Sequence, residues 1–239
     1  MKKYDIKIKV MSYKKIWDKS YKNKDNYLFY PNEEVIRFVN KYIERKTTLT
    51  TKNKNKYFLD IGCGSGRHIK YIVENGYFCY GVDISSKALN YAKSFLDLNG
   101  YNNKQFKLVN CNSSQIPLPS TSIDYIVAEA ALDSMPDIDI KKTIDEAQRL
   151  LKSGGLLYCS LIKLENKKNL KLNYKYLGNG NYKVNTRHEK NTIQVFFDKK
   201  KITKYFSDFI IKDIVLVKRL NLNNKSLSEL RYHLVCQKK

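Results

Sequence analysis

Short apolar runs alternate along the chain with segments whose apolar residues recur every three or four positions. Short runs are typical of buried strands, whereas the longer spacing is typical of amphipathic helices. The predicted helices are Glu33 to Arg45, Arg67 to Asn75, the helix that Ser85 or Ser86 caps and that runs through Leu98, and Ile140 to Leu151. The predicted strands are those that end at Asp60 and at Asp83, then Gln105 to Val109, Ile123 to Ala128 and Leu156 to Leu161. This alternation predicts a parallel sheet with helices on both faces.

The alternation ends after Leu161. Residues 163–197 are rich in Lys, Asn, Tyr and Gly and contain the turn signal Gly178-Asn179-Gly180, so they are predicted to be an insertion after the fifth strand. A helix that Asp198 can cap is predicted from Lys199 to Phe206. Two final strands are predicted over Phe209 to Val217 and Leu230 to Cys236.

The composition favours one domain over residues 1–239, because a chain of this length can bury a core of good size. The sequence has neither the ~20 consecutive apolar residues of a membrane span nor a leading charged-then-apolar signal segment. We therefore expect no membrane association and a cytoplasmic location. The five cysteines are scattered and lack metal-ligand spacing, which predicts reduced core thiols, no disulfide framework and no metal site.

The formal net charge of +22 raises the question of a nucleic-acid partner. Only seven of the 45 basic residues are arginine, the residue whose guanidinium grips phosphates and bases with paired hydrogen bonds. The lysines are spread over the whole chain together with abundant Asn, Ile and Tyr, as a nucleotide bias in the coding DNA would produce. A solvated basic surface is therefore favoured over an RNA-binding patch, and nucleic acid stays the less favoured partner.

The strand that ends at Asp60 runs into a glycine-rich turn, and the following strand ends at Asp83. Glycines let the backbone approach a ligand closely, and an acid at the tip of the next strand can accept hydrogen bonds from a ribose diol. The spacing from Asp60 to Gly66 is D-x-G-x-G-x-G. The dinucleotide fingerprint G-x-G-x-x-G fails at Arg67 and Ile69, and no Gly-Lys-Ser/Thr completes a phosphate loop. The pattern predicts a nucleoside site of a different kind at the carboxyl edge of the sheet.

Five segments in register make the chain similar to the class I S-adenosylmethionine (SAM)-dependent methyltransferases, from about Tyr30 to Leu161. They are the loop Asp60 to Gly66, the ribose-binding acid Asp83, the run Asn110 to Pro119 beside the adenine, the strand Ser122 to Val127 and the turn Leu150 to Leu157. The resemblance implies an α/β fold: a Rossmann-like, doubly wound, mostly parallel seven-stranded sheet with an antiparallel last strand and helices on both faces. It also implies SAM as the cofactor and methyl transfer as the activity.

The resemblance further implies which residues bind the cofactor. They are Tyr21, Tyr30, Asp60, Gly62, Cys63, Gly64, Gly66, Asp83, Ile84, Asn112, Ser113 and Glu129. Asp60 would fix the glycine loop, and Asp83 would bind the ribose hydroxyls. Tyr21 and Tyr30 belong to residues 1–30, which could fold over the cofactor as a lid or could cover the first helix with their aromatic side chains. Asn112 stands where the family usually has an Asp, and its amide oxygen could accept from the exocyclic amine of adenine.

Asp133 and His188 are the candidate catalytic bases. Asp133 follows the fourth strand, where this fold places residues that face the methyl group; it could take a proton if burial raises its pKa, or it could cap the following turn. His188 lies in the insertion and could reach over the cleft or be solvated. Many family members carry a His after the fourth strand, where this chain has Asp133 and Ser134, so the motif does not identify the base.

Three functions remain open at this stage. The leading hypothesis is a SAM-dependent methyltransferase that acts on a hydroxyl or amine of a small-molecule acceptor, since in a similar subgroup the insertion roofs the acceptor site. The alternative is an RNA methyltransferase that acts on a tRNA base, which the positive charge and the similar core of some tRNA enzymes support. A non-catalytic SAM-binding protein comes third. The sequence does not predict the oligomeric state.

Overall fold

The computed structural model describes residues 10–22, 26–43, 55–164, 173–186, 189–223 and 227–239. The helices are α1 (Val10–Lys22), α2 (Glu33–Phe38) with a π-helical turn after it (Val39–Ile43), α3 (Arg67–Glu74), α4 (Ser86–Leu98), α5 (Asp137–Leu150) and α6 (Lys199–Tyr205). A 3₁₀ turn spans Leu132–Ser134. The strands are β1 (Tyr57–Ile61), β2 (Phe78–Asp83), β3 (Phe106–Asn110), β4 (Ile123–Ala128), β5 (Leu151–Ile162), β6 (Tyr174–Gly178), β7 (Asn181–Val184), β8 (Ile193–Val195), β9 (Phe209–Leu220) and β10 (Leu227–Lys238).

Seven strands form one sheet in the order β3-β2-β1-β4-β5-β10-β9. The strands from β3 to β5 pair in parallel, whereas β10 is antiparallel to both β5 and β9. The predicted Rossmann-like sheet with an antiparallel last strand is thus confirmed. The chain first moves outward from β1 to β3 and then returns to β4 on the other side of β1. Such a switch point opens a crevice at the carboxyl ends of the strands.

Both faces of the sheet are buried at its central strands, which explains the nearly continuous apolar runs of those strands. Leu59 and Ile126 point into a core that they share with the apolar side of α5, whereas their neighbours Phe58 and Val127 point into a second core against α2, α3 and α4. Helix α4 begins with a side-chain cap, since Ser85 Oγ accepts from Ala88 N at 3.1 Å, as the position of Ser85 before the helix predicts.

Two elements differ from the sequence prediction. The segment predicted as a turn before the fifth strand lies inside β5, which begins at Leu151 and shifts its register against β4 between Ile123 and Tyr125. Residues Val10–Lys22 form α1, which the sequence pattern did not predict.

The insertion forms a separate antiparallel sheet in the order β6-β7-β8, called the inserted sheet below. It leaves the main sheet after β5 and returns at Phe197, whose N–H donates to the carbonyl of Ile162 at 2.9 Å. The turn predicted at Gly178 to Gly180 is confirmed, since all three residues have positive φ. Within the described ranges, the helices are too short or too polar to cross a membrane.

Replacement of Gly81 by Ala should destabilise the fold. A Cβ at this position in β2 would lie 2.3 Å from Cδ1 of Ile69 in α3 and 2.9 Å from Cδ2 of Leu108 in β3. Overpacking of this kind costs about 1–3 kcal/mol, which urea unfolding would measure. Ser94→Ala, at an exposed position of α4, is the control and should change stability by less than ~0.5 kcal/mol. Equal stability of the two variants would contradict the close packing of α3 on β2.

Candidate active site

The loop after β1 brings bare backbone to the crevice. Gly62, Gly64 and Gly66 have φ of +68°, +51° and +82°, a region that favours glycine. The amide of Gly62 donates to the carbonyl of Val82 at 2.8 Å, which ties the loop to the end of β2. Gly66 begins α3 as its N-cap and does not line the crevice.

Neighbouring side chains leave no room for a side chain on this loop. A Cβ at Gly64 would lie 2.3 Å from Oη of Tyr21, and one at Gly62 would lie 2.8 Å from Cβ of Ala131. The loop is therefore held between α1 on one side and the β4–α5 connection on the other, with its peptide groups next to the crevice.

Asp83, at the tip of β2, is held by backbone donors. Its Oδ2 accepts from Gly64 N at 3.0 Å, and its Oδ1 accepts from Ser85 N at 2.8 Å. Burial raises its pKa to about 6, against the opposing effect of these two hydrogen bonds. Each carboxylate oxygen keeps a further lone pair that can accept from a ligand. Asn110 fixes the same strand end, since its Nδ2 donates to the carbonyls of Asp83 and Ile84 at 2.8 and 3.0 Å.

Residues 26–32, called the strap below, cross the glycine loop. Ser65 Oγ donates to the carbonyl of Leu28 at 2.6 Å, and a guanidinium nitrogen of Arg67 donates to the carbonyl of Tyr30 at 3.3 Å. The side chain of Tyr30 is 83% exposed and does not line the crevice. The structure therefore corrects the expectation for Tyr30, because the backbone of this residue, not its ring, faces the loop.

The end of the strap is fixed by buried polar groups behind the loop. The backbone N–H of Asn32 donates to Nε2 of His68 at 3.3 Å, so the His68 proton lies on Nδ1, which is 3.8 Å from Oδ2 of Asp60. Burial lowers the pKa of His68 and raises that of Asp60. Asp60 is 1% exposed and does not line the crevice, and its Oδ2 accepts no hydrogen bond from a described residue.

Glu129, directly after β4, is buried with hydrogen bonds at both oxygens. Oε1 accepts from Nδ2 of Asn32 at 3.1 Å and Oε2 accepts from Oη of Tyr158 at 2.7 Å. Because the single hydroxyl hydrogen of Tyr158 is donated to Glu129, Nδ1 of His233 donates to Oη of Tyr158, at 2.8 Å. Burial and the nearby Glu129 carboxylate raise the pKa of Tyr158.

One cavity gathers most of the predicted cofactor residues. Those that line it are Tyr21, Gly62, Cys63, Gly64, Asp83, Ile84, Asn112, Ser113 and Glu129. The predicted residues Tyr30, Asp60, Gly66 and Asp133 do not line it. His188, the second candidate base, lies outside the described residues.

The adenine-side prediction for Asn112 needs a correction. Its Oδ1 accepts from both N and Oγ of Ser114, each at 3.0 Å, so the amide oxygen is already engaged within its own turn. The group that Asn112 can offer to a ligand is therefore its Nδ2 donor. Ser113 Oγ is hydrogen-bonded to Oγ1 of Thr143 at 3.0 Å.

Asp133 is a structural residue in this fold, and not a group of the cavity wall. It is fully buried, its Oδ2 accepts from Ile162 N at 2.6 Å, and the same oxygen pairs with the guanidinium of Arg231. Gln194 Nε2 donates to its carbonyl at 2.7 Å. The carboxylate thus joins the 3₁₀ turn to the end of β5 and to β10. Burial raises its pKa, while Arg231 opposes that rise.

Sequence reasoning missed a second group of cavity residues. These are contributed by α1, the strap, the start of α5 and the inserted sheet, and include Tyr13, Trp17, Leu28, Met135, Asp139 and Glu189. A signal for the α1 residues existed: Tyr13, Trp17 and Tyr21 recur every four positions, which places them on one helix face. Among the described residues, no three His, Cys, Asp or Glu side chains gather as a metal site would require.

Comparisons with known proteins agree with this geometry. A family model described as a methyltransferase domain matches residues 59–159. The ubiquinone biosynthesis O-methyltransferase of Coxiella burnetii is 30% identical over 125 residues, which cover 51% of this chain and 48% of that protein. A tRNA N(3)-cytidine methyltransferase of Danio rerio is 30% identical over 112 residues, which cover 41% of this chain and 30% of that protein. The chain thus spans half or less of these curated relatives. A solved SAM-dependent methyltransferase of Methanosarcina mazei has a TM-score of 0.63 and 26% identity, and the match covers 78% of this chain and 93% of that one.

The residues that line the cavity fit S-adenosylmethionine as a cofactor. The glycine loop leaves a backbone surface where a Cβ would collide with Tyr21 or Ala131. Asp83 is a buried hydrogen-bond acceptor beside it, and Asn112 offers a donor. Peptide groups, a carboxylate acceptor and an amide donor are the hydrogen-bonding groups that an adenosine with an amino-acid tail requires.

Arg231→Met should destabilise the protein by about 3–5 kcal/mol at about pH 7.5, because it leaves the buried Asp133 carboxylate without its partner. Without the guanidinium, the folded-state pKa of Asp133 should rise further above its unfolded value. A raised pKa makes stability fall as the pH rises, so the deficit should shrink toward about pH 5. Urea unfolding of the variant and the wild-type protein at both pH values measures this difference in the free energy of unfolding.

The matched control for this variant is Arg219→Met, whose guanidinium lies 4.0 Å from Glu33 at an exposed surface. It should change stability by less than ~0.5 kcal/mol at either pH. A deficit of Arg231→Met that does not depend on pH would contradict the pairing with Asp133.

Proposed function

We propose that the chain transfers a methyl group from SAM to a hydroxyl or amine of a small-molecule acceptor, because a methyltransferase-domain model matches residues 59–159 and the fold is similar to that of a solved SAM-dependent methyltransferase. One observation carries the acceptor class. The cavity is lined on one side by the glycine loop and Asp83, and on the other by α1, the start of α5 and Glu189, which lies between β7 and β8 of the inserted sheet. An acceptor that has to enter between these elements is more readily a small molecule than a polynucleotide.

SAM would bind to residues of the glycine loop and of the strand ends that line the cavity. Peptide groups of Gly62 and Gly64 would contact the methionine part, and Arg67 in the cavity wall would face its carboxylate. Asp83 would accept from the ribose hydroxyls, with Ile84 on the adenine face and Nδ2 of Asn112 toward the adenine edge. When bound, SAM supplies a methyl group on a sulfonium, from which the sulfur departs as a neutral thioether.

Helix α1 is the element we propose as a lid. Asp18 anchors it, because its Oδ1 accepts from Ser85 Oγ at 2.7 Å and from Lys87 N at 3.2 Å at the beginning of α4. This contact places the aromatic face of α1, with Trp17 and Tyr21, over the cavity. Its role would be to exclude water and to keep the reactants in line, and such positioning can supply ~7–11 kcal/mol of a barrier.

We do not propose Asp133 as the catalytic base, since its carboxylate accepts from Ile162 N and pairs with Arg231. His188 stays a prediction of the sequence. A transfer to a neutral amine needs no strong base in the methyl-transfer step, because the nitrogen already carries the lone pair.

An RNA methyltransferase is the second candidate, favoured by the net charge of +22 and by the similarity to a tRNA methyltransferase. Affinity for bulk tRNA as a function of salt separates the two. We expect binding weaker than about micromolar at near-physiological salt. Micromolar binding with a steep negative salt slope would favour the RNA substrate instead.

Asp83→Ala should weaken the binding of SAM and of its demethylated product by more than about tenfold, because charge-assisted hydrogen bonds to the ribose are lost. Isothermal calorimetry measures this effect. Asp97→Ala, an exposed carboxylate of α4 paired with Lys93, is the control and should keep the wild-type affinity.

The activity itself is tested with methyl-labelled SAM and a pool of small metabolites, from which wild-type protein should yield labelled product and Asp83→Ala much less. If the cofactor binds equally well to Asp83→Ala, the site has been misassigned. If wild-type protein binds no SAM at all, the proposed function is wrong.

A further inference from the structure

The cavity is acidic, although the chain as a whole is strongly basic. Its described wall contains four carboxylates, of Asp83, Glu129, Asp139 and Glu189, and a single guanidinium, that of Arg67. The described lining residues include no lysine, although the chain has 45 basic residues in total. His68 adds no positive charge, since burial and Arg67 lower its pKa. In a chain of net charge +22, the described residues of the cavity wall thus carry more carboxylates than cationic groups.

Two of these carboxylates, those of Asp139 and Glu189, lie on the side of the cavity opposite the glycine loop, where we propose that the acceptor enters. Asp139 belongs to the first turn of α5, and Glu189 precedes β8 of the inserted sheet. The Asp139 carboxylate accepts no hydrogen bond from a described residue, in contrast to Asp83 and Glu129. Burial raises the pKa of Asp139, and Lys142, on the exposed side of the same helix, opposes that rise.

The aromatic side chains beside these carboxylates point to a ligand as well. Tyr13 is 7% exposed and lines the cavity, and its Oη has no hydrogen-bond partner among the described residues. Burial raises the pKa of Tyr13, Trp17 and the backbone of Ile193 oppose that rise, and the nearby carboxylates of Asp139 and Glu189 add to it, so the phenol stays neutral. Trp17 lies one helical turn further along α1 and lines the same cavity. A buried hydroxyl without a partner is costly unless a ligand completes its hydrogen bonding.

We propose that the acceptor of this methyltransferase is a small amine that enters as an ammonium cation, and that Asp139, Glu189, Tyr13 and Trp17 bind its cationic end. The inference rests on the proposed function and narrows it from a hydroxyl or an amine to an amine. An ammonium presents three donors, which carboxylates and a phenol oxygen can accept. The faces of Trp and Tyr also attract cations, most strongly where water is excluded. A hydroxyl acceptor gains none of the charge interaction, and an anionic acceptor would be repelled.

The reaction requires the amine to lose a proton before its nitrogen can attack. Asp139 can accept this proton, and burial raises its pKa, which makes it a better acceptor than a solvated carboxylate. The nitrogen lone pair then forms the new C–N bond while the C–S bond of the methyl donor breaks. The electron pair of the broken bond stays on sulfur, and the methylated ammonium can release a further proton to solvent.

The test compares three probes of the same shape and different charge: benzylamine, benzyl alcohol and benzoate. Each is titrated by ligand-observed NMR into protein saturated with S-adenosylhomocysteine, so the readout is binding and not turnover. We expect benzylamine to bind at least about tenfold more tightly than benzyl alcohol, and benzoate to bind most weakly. Asp139→Asn should remove most of the preference for the amine while keeping the affinity for the alcohol.

Asp145→Asn is the matched control, because this exposed carboxylate of α5 pairs with Lys141 away from the cavity. It should keep the amine preference of the wild-type protein. Equal affinity for amine and alcohol in wild-type protein, or binding of neither, overturns the inference while leaving the methyltransferase assignment intact. Failure of S-adenosylhomocysteine to bind would instead overturn the proposed function, and the amine site with it.

Discussion

The hydrogen bond from Gly64 N to Asp83 Oδ2 joins the two halves of the cofactor side, and the geometry of the cavity depends on it. The loop after β1 can keep its positive φ values because the tip of β2 holds it, through this bond and through the Val82 carbonyl. The carboxylate in turn stays buried because backbone donors meet it on both oxygens. Its pKa of about 6 shows that these donors offset only part of the desolvation cost. A ligand hydroxyl would supply the remainder.

The buried carboxylates of this fold are stabilised in different ways, and the difference separates structural from available groups. Asp133 is neutralised by Arg231, 98 positions away in the chain, and has no role left to offer a ligand. Glu129 is held by the neutral donors Tyr158 and Asn32 at both of its oxygens, so it is a fixed part of the cavity wall. Asp139 has no such partner among the described residues. Polar groups that the protein does not satisfy are those on which a ligand can gain binding energy.

Local spacing was enough to predict the sheet, its glycine loop and the bounds of β4, because each depends on residues close together in sequence. The predictions for Tyr30 and Asp133 failed for one physical reason: the contacts that decide their roles come from distant segments. Asp133 is next to Ser134, which lines the cavity, yet its carboxylate pairs with Arg231 on the last strand. Helix α1 was missed although Tyr13, Trp17 and Tyr21 share one face, since the aromatic residues of the strap obscured their period. Its place over the cavity depends on Asp18 and the beginning of α4, which no local pattern contains.

The cavity wall is formed partly by residues within the segment that relatives share and partly by residues outside it. The family model ends at residue 159, before the inserted sheet begins, and starts after α1. Tyr13, Trp17 and Glu189 therefore lie outside the part that is shared, whereas the glycine loop and Asp83 lie within it. The inserted sheet leaves and rejoins the fold at one point, Ile162 and Phe197, so its sequence can change without moving the cofactor loop. The acceptor of the proposed reaction thus has to be inferred from the charge and hydrogen bonding of the cavity wall, because the matched segment contains the glycine loop and Asp83 but neither α1 nor Glu189.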